Sequence, residues 1–272
     1  MLLDTAGRYS SQDSHQKADQ TGWNNFLGLI KNYRRKPISG LIVSFSMSDL
    51  MAMNEYEMSQ HILQMKQRIA EVNDFFKTRF PVYIVITKSD MLAGFSQFYE
   101  TFSHKEREQA FGITFDKNDS IQGDLLTHFS QEFRQLTQSV TRRQWHRISL
   151  ERDPNRKSII YSFSDQFSSL KPTLDSIVGN LAKLDEGLTT GIIRGVYFTS
   201  GTQSGAPIDR IIAKVSSAFG LKNKAKALWN NDQRSYFIKE LLQQVIFPES
   251  DQFGVLVGYE KRKNLIKRIT MA

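Results

Sequence analysis

Val82 to Ile86, inside "PVYIVITKSD", is an unbroken apolar run that ends in Thr-Lys-Ser-Asp. A strand with one face in water alternates apolar and polar residues, whereas a strand covered on both faces does not. The run therefore predicts a strand buried on both sides. Leu41 to Phe45 in "ISGLIVSFSMSDL" and Gly195 to Phe198 in "IIRGVYFTSGTQ" have the same character, and "MLLD" is a shorter version. Helical spacing fills the gaps. Trp23, Phe26, Leu27 and Ile30 share one helical face. Ile62, Met65, Ile69, Val72 and Phe76 share another within about Glu55 to Arg79. Strands alternating with helices predict an α/β fold on a parallel sheet. Right-handed crossovers would bring the strand C-terminal ends to one edge, where open α/β sheets bind ligands.

Three polar loops fall at those ends: "DTAGR" (Asp4 to Arg8), "TKSD" (Thr87 to Asp90) and "TSGT" (Thr199 to Thr202). Each alone has an ordinary alternative. "DTAG" suits any strand-ending turn, "TKSD" suits a helix N-terminus, and "TSGT" suits a polar turn. Together, in this order, they match the later loops of a P-loop nucleotide site. Asp4 would hold a Mg²⁺ shell through water. Gly7, lacking a side chain, would let its N–H approach a γ-phosphate. Asp90 would accept from guanine N1–H and N2–H₂, a paired donor edge that adenine lacks. The stem of Lys88, next to Thr87, would cover one face of the base. Backbone N–H groups of Ser200, Gly201 and Thr202 would meet guanine O6.

Composition narrows the classes. The chain has 272 residues, 40% hydrophobic and 24% charged, which suits a folded protein with a full core. Cysteine is absent, and the five histidines are scattered without ligand spacing, so neither a disulfide framework nor a histidine metal site is expected. The net charge of +8 admits nucleic acid, anionic lipid or acidic protein as partners. No nucleic-acid-binding signature accompanies it, and nucleic acid is not expected as a partner. The densest cluster is Lys261, Arg262, Lys263, Lys267 and Arg268. No apolar run is long enough to span a bilayer, and the start is not a signal peptide.

Single residues remain open between a chemical and a structural role. Arg8 suits a phosphate or a surface ion pair. Gln12 suits water positioning or solvation, and Asp13 suits catalysis or a helix cap. Trp23 with Phe26 reads as core, and Arg34, Arg35 and Lys36 before Pro37 read as a polar loop. From Phe95 to about Asp185 the pattern is helical, with "FSQFYETFSHKEREQAFGITF" and "DLLTHFSQEFRQLTQSV" as amphipathic helices. "ERDPNRKS" reads as a turn, and a further helix pair breaks near Pro172. After the last strand, Ile208 to Phe219 and "RSYFIKELLQQVIF" read as helices. The organisation expected is a partial P-loop-like α/β core (1–94), a helical insertion (95–190), and a closing segment with the last core strand and C-terminal helices (191–272).

"LLDTAGRYSSQDS", "PISGLIVSFSMSDL", "PVYIVITKSDMLAGF", "RGVYFTSGTQSGAPIDR" and "YFIKELLQQVIFPE" together resemble the TssM/IcmF family, in matching order from Leu2 to about Glu249. The resemblance implies an inner-membrane core component of type VI secretion systems. It implies two membrane helices ahead of a cytoplasmic P-loop domain, and a third helix leading to a periplasmic region. It also implies partners: the other membrane-complex subunits and the baseplate. GTP and Mg²⁺ would be cofactors of the full-length protein. The basic cluster at Lys261, Arg262, Lys263, Lys267 and Arg268 would lie at the cytoplasmic membrane surface.

The chain departs from that plan. No Gly-x-x-x-x-Gly-Lys-Ser/Thr segment is present; neither "GTQSGAPID" nor "GVLVGYEKR" has the spacing. The expectation is therefore a soluble, cytoplasmic part of a longer protein that starts in mid-sheet and binds no nucleotide by itself. The strand leading into Walker A would lie between "MLLD" and the Leu41 run, so its absence predicts a gap in the sheet. Three functions follow: a scaffold module, a GTPase complete only in the full-length protein, or a charge-driven nucleic-acid binder.

Overall fold

The Val82 run forms the spine of a sheet with four strands among the described residues. The structure is a computed structural model describing residues 2–5, 16–33, 38–116, 125–183, 191–201 and 234–249, with backbone alone for 16–20 and 33. Strand β2 (Pro81–Thr87) is buried from Pro81 to Ile86. It lies between β1 (Leu41–Ser46) and β4 (Ile192–Phe198), parallel to both. The third strand in sequence, β3 (Gly112–Thr114), pairs antiparallel with β4, which gives the order β1-β2-β4-β3. The sheet is therefore mixed, not purely parallel. Two glycines permit this edge pairing. A Cβ on Gly112 would sit 2.3 Å from the Val196 carbonyl oxygen, and one on Gly195 would sit 2.4 Å from that of Ile113.

Two strand expectations change. The Leu41 run is a strand, but Val43 and Phe45 point into the core while Ile42 and Ser44 are exposed. An edge strand with one covered face alternates in this way. Residues 2–5 of "MLLD" form no strand: they have no ladder partner among the described residues, and Leu2 and Leu3 are 60% and 44% exposed. A strand needs a neighbour for its N–H and C=O groups. Among the described residues, β1 has none on its outer edge.

The helices follow their local signals. Helix α1 (Gln16–Tyr33) packs Trp23 and Leu27 against Val72 and Phe80. A short α2 (Met47–Ala52) follows β1. Helix α3 (Glu55–Phe76) starts at a capping box. There Glu57 N–H donates to Asn54 Oδ1 and Asn54 N–H to Glu57 Oε2, both at 2.9 Å. It ends before the expected Arg79 because Lys77 turns left-handed at φ 54°. Met58, Ile62 and Ile69 of α3 share one core with Val82, Ile84 and Ile86 of β2.

The stretch expected as one amphipathic helix after Phe95 is instead two five-residue helices and a strand. These are α4 (Phe95–Tyr99), α5 (His104–Glu108) and then β3. Ser103 and Glu106 form a second capping box that starts α5. Long helix α6 (Leu125–Leu150) follows, then α7 (Pro154–Ser168) and α8 (Lys171–Ala182). The turn at "ERDPNRKS" is shorter than expected. Asp153 caps α7 by accepting from Asn155 N–H at 2.9 Å, and Pro154 opens the helix. Pro172 sits in the first turn of α8, where the break was expected. Phe129, Phe133, Phe163, Leu174 and Ile177 belong to the same core as the sheet strands.

The final described segment covers the other sheet face. Tyr236 pairs with Ser200 as an isolated bridge, and helix α9 (239–249) follows, π-helical over Leu241–Ile246. Leu241 and Ile246 pack on Tyr83, Val85 and Tyr197.

Candidate functional site

The ends of β2 and β4 meet where the sequence placed its second and third loops. Thr199 N–H donates to the Ile86 carbonyl at 2.8 Å, and Ser89 N–H to the Thr199 carbonyl at 3.0 Å. The β2–β4 ladder thus continues past both strands and holds the loops side by side. Lys88 leaves β2 in a left-handed conformation, φ 55°, and starts a 3₁₀ turn over Ser89–Met91. That turn aims Asp90 back at β4. The Ser200 hydroxyl donates a short hydrogen bond to Asp90 Oδ1. Thr87, Lys88, Asp90, Ser200 and Gly201 therefore lie together, Ser200 buried and the rest partly exposed.

Asp90 keeps capacity for a ligand. Each carboxylate oxygen carries about two acceptor sites, and Ser200 uses one on Oδ1. The expected role of the Ser200 N–H does not hold, because that N–H donates to the Tyr236 carbonyl at 3.0 Å. The Tyr236 N–H returns a bond to the Ser200 carbonyl at 2.8 Å. The sequence offered no signal for this bridge, which joins residues separated by a long stretch of chain. Gly201 is described. Thr202 lies outside the described residues.

The phosphate side is different. Asp4 is exposed, in a segment without a strand, and has no hydrogen bond or ion pair among the described residues. Gly7, Arg8, Gln12 and Asp13 lie outside the described residues, as do the helix expected at Ile208 to Phe219 and the cluster Lys261, Arg262, Lys263, Lys267 and Arg268. The described residues thus bring Thr87, Lys88, Asp90, Ser200 and Gly201 together, while Asp4 has no hydrogen-bond or ion-pair partner in the described part of the chain. Among them, no group of three or more His, Cys, Asp or Glu could hold a metal ion. No helix among them is long and apolar enough to cross a membrane.

The opposite sheet face holds an ion-pair cluster that sequence reasoning missed. Arg194, 3% exposed, donates from Nε to Glu249 Oε2 at 3.1 Å and from Nη2 to Glu249 Oε1 at 2.5 Å. Tyr83 Oη donates to Glu249 Oε2 at 2.8 Å. Burial works against the Arg194 charge, but the hydrogen bonds and charge of Glu249 outweigh it and hold the guanidinium protonated. Burial pushes the Tyr83 phenol up, and the Glu249 carboxylate adds to it. Tyr197, beside it, is pushed up to about 12 by burial and shares a 2.9 Å hydrogen bond with Thr114. The signal available was a lone Arg inside an otherwise apolar strand. Its partner lies 55 residues away.

Comparison with known proteins defines the setting. The family described as the IcmF-related N-terminal domain matches residues 16–272. The chain is 38% identical over 266 residues to the type VI secretion system component TssM1 of Pseudomonas aeruginosa. That alignment covers 97% of the chain and 24% of the relative, so the chain spans about a quarter of that protein's length. No solved structure matches. A family match over nearly all of the chain and this identity to TssM1 together place the chain in the TssM/IcmF family of type VI secretion system components.

Proposed function

We propose that this chain is a scaffold module on the cytoplasmic face of a type VI secretion inner-membrane complex. It would join the other membrane-complex subunits to baseplate components. The observation that carries the reading is the 38% identity to TssM1 along 97% of the chain. The packing of the described parts supports a structural role. One core runs from β1 through the helices to Phe237, and the Arg194–Glu249–Tyr83 cluster fastens α9 to the sheet. Lys261, Arg262, Lys263, Lys267 and Arg268 would approach the anionic membrane surface. Deleting the segment that carries this chain from the full protein tests the reading. Loss of co-purifying secretion-system subunits and of secretion is expected. Retention of both would refute it.

A second reading is favoured by the Ser200–Asp90 bond. In this reading the full protein binds GTP with Mg²⁺, and this chain supplies the base-recognition edge through Thr87, Lys88, Asp90 and Gly201. Residues outside the described ones, Gly7 and Thr202 among them, would complete it with Asp4. Calorimetric titration of the full protein with GTP and ATP analogues tests it. Guanine preference abolished by Asp90→Asn supports the reading, and equal affinity for both bases refutes it.

A further inference from the structure

Residues 133–150, within α6, carry four arginines and a histidine but no Asp or Glu. Two of the arginines already have acidic partners within the chain. Arg143 pairs with Glu106 at 2.7 Å, and Arg147, 5% exposed, pairs with Glu151 at 3.0 Å. Arg134 and Arg142 are exposed and form no ion pair among the described residues. With Gln138 and Trp145 they fall on one helical stripe, all four exposed. Trp145 is 62% exposed and meets Tyr161 of α7, 55% exposed, edge-on at 6.2 Å between ring centroids. Gln144, buried beneath, donates to the Tyr161 carbonyl at 2.6 Å and locks the two helices at this point. Lys157 lies one turn before Tyr161 and Asp165 one turn after it, so the stripe keeps a positive excess.

From this juxtaposition we infer that the Arg134–Arg142–Trp145–Tyr161 surface docks an acidic segment of a partner protein, with an apolar side chain seated against the two rings. Paired exposed aromatics beside arginine are the composition of interface hot spots. The two unpaired cations supply charge complementarity and select carboxylates. The stripe from Arg134 to Trp145 is about 17 Å long at 1.5 Å per residue, which suits about three turns of a partner helix. Two arginines without an ion pair among the described residues are few beside the roughly 6–10 phosphate contacts of a typical nucleic-acid binder. One Trp and two Arg are likewise too small a face to hold a membrane.

This inference rests on the scaffold reading, and one experiment separates the two. A benzophenone amino acid is placed at position 145 of the full protein in its own cells, with position 29, the exposed Leu29 of α1, as control. Cross-linked peptides are identified by mass spectrometry while co-purifying secretion-system subunits are followed in the same samples. The expected result is adducts from position 145, not 29, on one protein segment rich in Asp and Glu. Combining Arg134→Glu with Arg142→Glu should lower their yield at least fivefold. Adducts to lipid, to nucleic acid or to neutral or basic segments, or no adduct at all, would overturn the inference. If the subunits still co-purify in that case, the scaffold reading stands and only this surface assignment falls.

Discussion

Ser200 donates its hydroxyl hydrogen bond to Asp90 across 110 residues of chain, and so ties the β4 loop to the β2 loop. The bond has a structural and a chemical consequence. Ser200→Ala should cost about 1.5–3 kcal/mol, the range for a hydrogen bond to a charged group. Thermal melts should show a fall of roughly 3–12 °C at about 2–4 °C per kcal/mol for a chain of this size. The chemical consequence concerns nucleotide. The chain has no Gly-x-x-x-x-Gly-Lys-Ser/Thr segment to cradle phosphates. Calorimetry of the purified chain with Mg²⁺ and a non-hydrolysable GTP analogue should therefore show no micromolar binding. Micromolar affinity would mean that Asp90 and its neighbours hold nucleotide without a phosphate loop.

Arg194 and Glu249 form an ion pair whose halves are not equivalent, because Arg194 is buried and Glu249 is partly exposed. Removing the carboxylate strands a guanidinium that is 3% exposed, and Nη1 already lacks a hydrogen-bond partner. Glu249→Leu alone should cost about 3–5 kcal/mol, the usual penalty for breaking a buried pair. Arg194→Met combined with Glu249→Leu should recover most of that loss, because both desolvated charges are gone. Urea denaturation of the two single variants and the double variant measures the coupling. Strict additivity would show that the pair is not coupled.

Glu151 sets an acid limit. Arg156 is the main partner holding its carboxyl down, to about 2, helped by the Asp153 N–H and by Arg147. A carboxyl with a depressed folded pKa contributes its full stability above the unfolded value, about 4.5. That contribution drains away as pH falls from about 4.5 toward 2. Glu151→Gln should therefore lower the melting temperature at pH 6, and the gap from the parent chain should close on acidification. A gap constant from pH 6 to pH 2.5 would show that the charge plays no part.

The apolar runs made the sheet legible because β2 and β4 are covered on both faces, and burial of that kind leaves a direct mark on sequence. β1 was legible as a strand but not as an edge, because Leu41 to Phe45 is apolar enough to suit either position. β3 was hidden. Three residues after two short helices carry too little periodicity, and its pairing depends on Gly112 and Gly195, whose close approach to β4 and β3 is a property of packing. At the candidate site, Asp90 and Ser200 could be named singly from their loops. Their mutual bond needed the β2–β4 ladder, and the Tyr236 bridge that consumes the Ser200 N–H depends on a distant segment. Local pattern finds groups at strand ends; it does not show which donors are already taken.

The outer edge of β1 is open to another chain. Among the described residues this edge has no ladder partner, and Ile42 on β1 is 37% exposed. An unpaired edge offers N–H and C=O groups to another chain, and an apolar side chain beside it adds attraction. The purified chain should therefore self-associate as its concentration rises. Ile42→Lys places a charge on the exposed face without entering the core, where Val43 and Phe45 do the packing. Such a charge is a common guard on natural edge strands. Sedimentation velocity should show the variant remaining monomeric at concentrations where the parent associates. Unfolding free energies from urea titrations should stay within about 0.5 kcal/mol of the parent, as for an ordinary surface change. Equal self-association of parent and variant would show that contacts between molecules form elsewhere and that the β1 edge is not exposed to them.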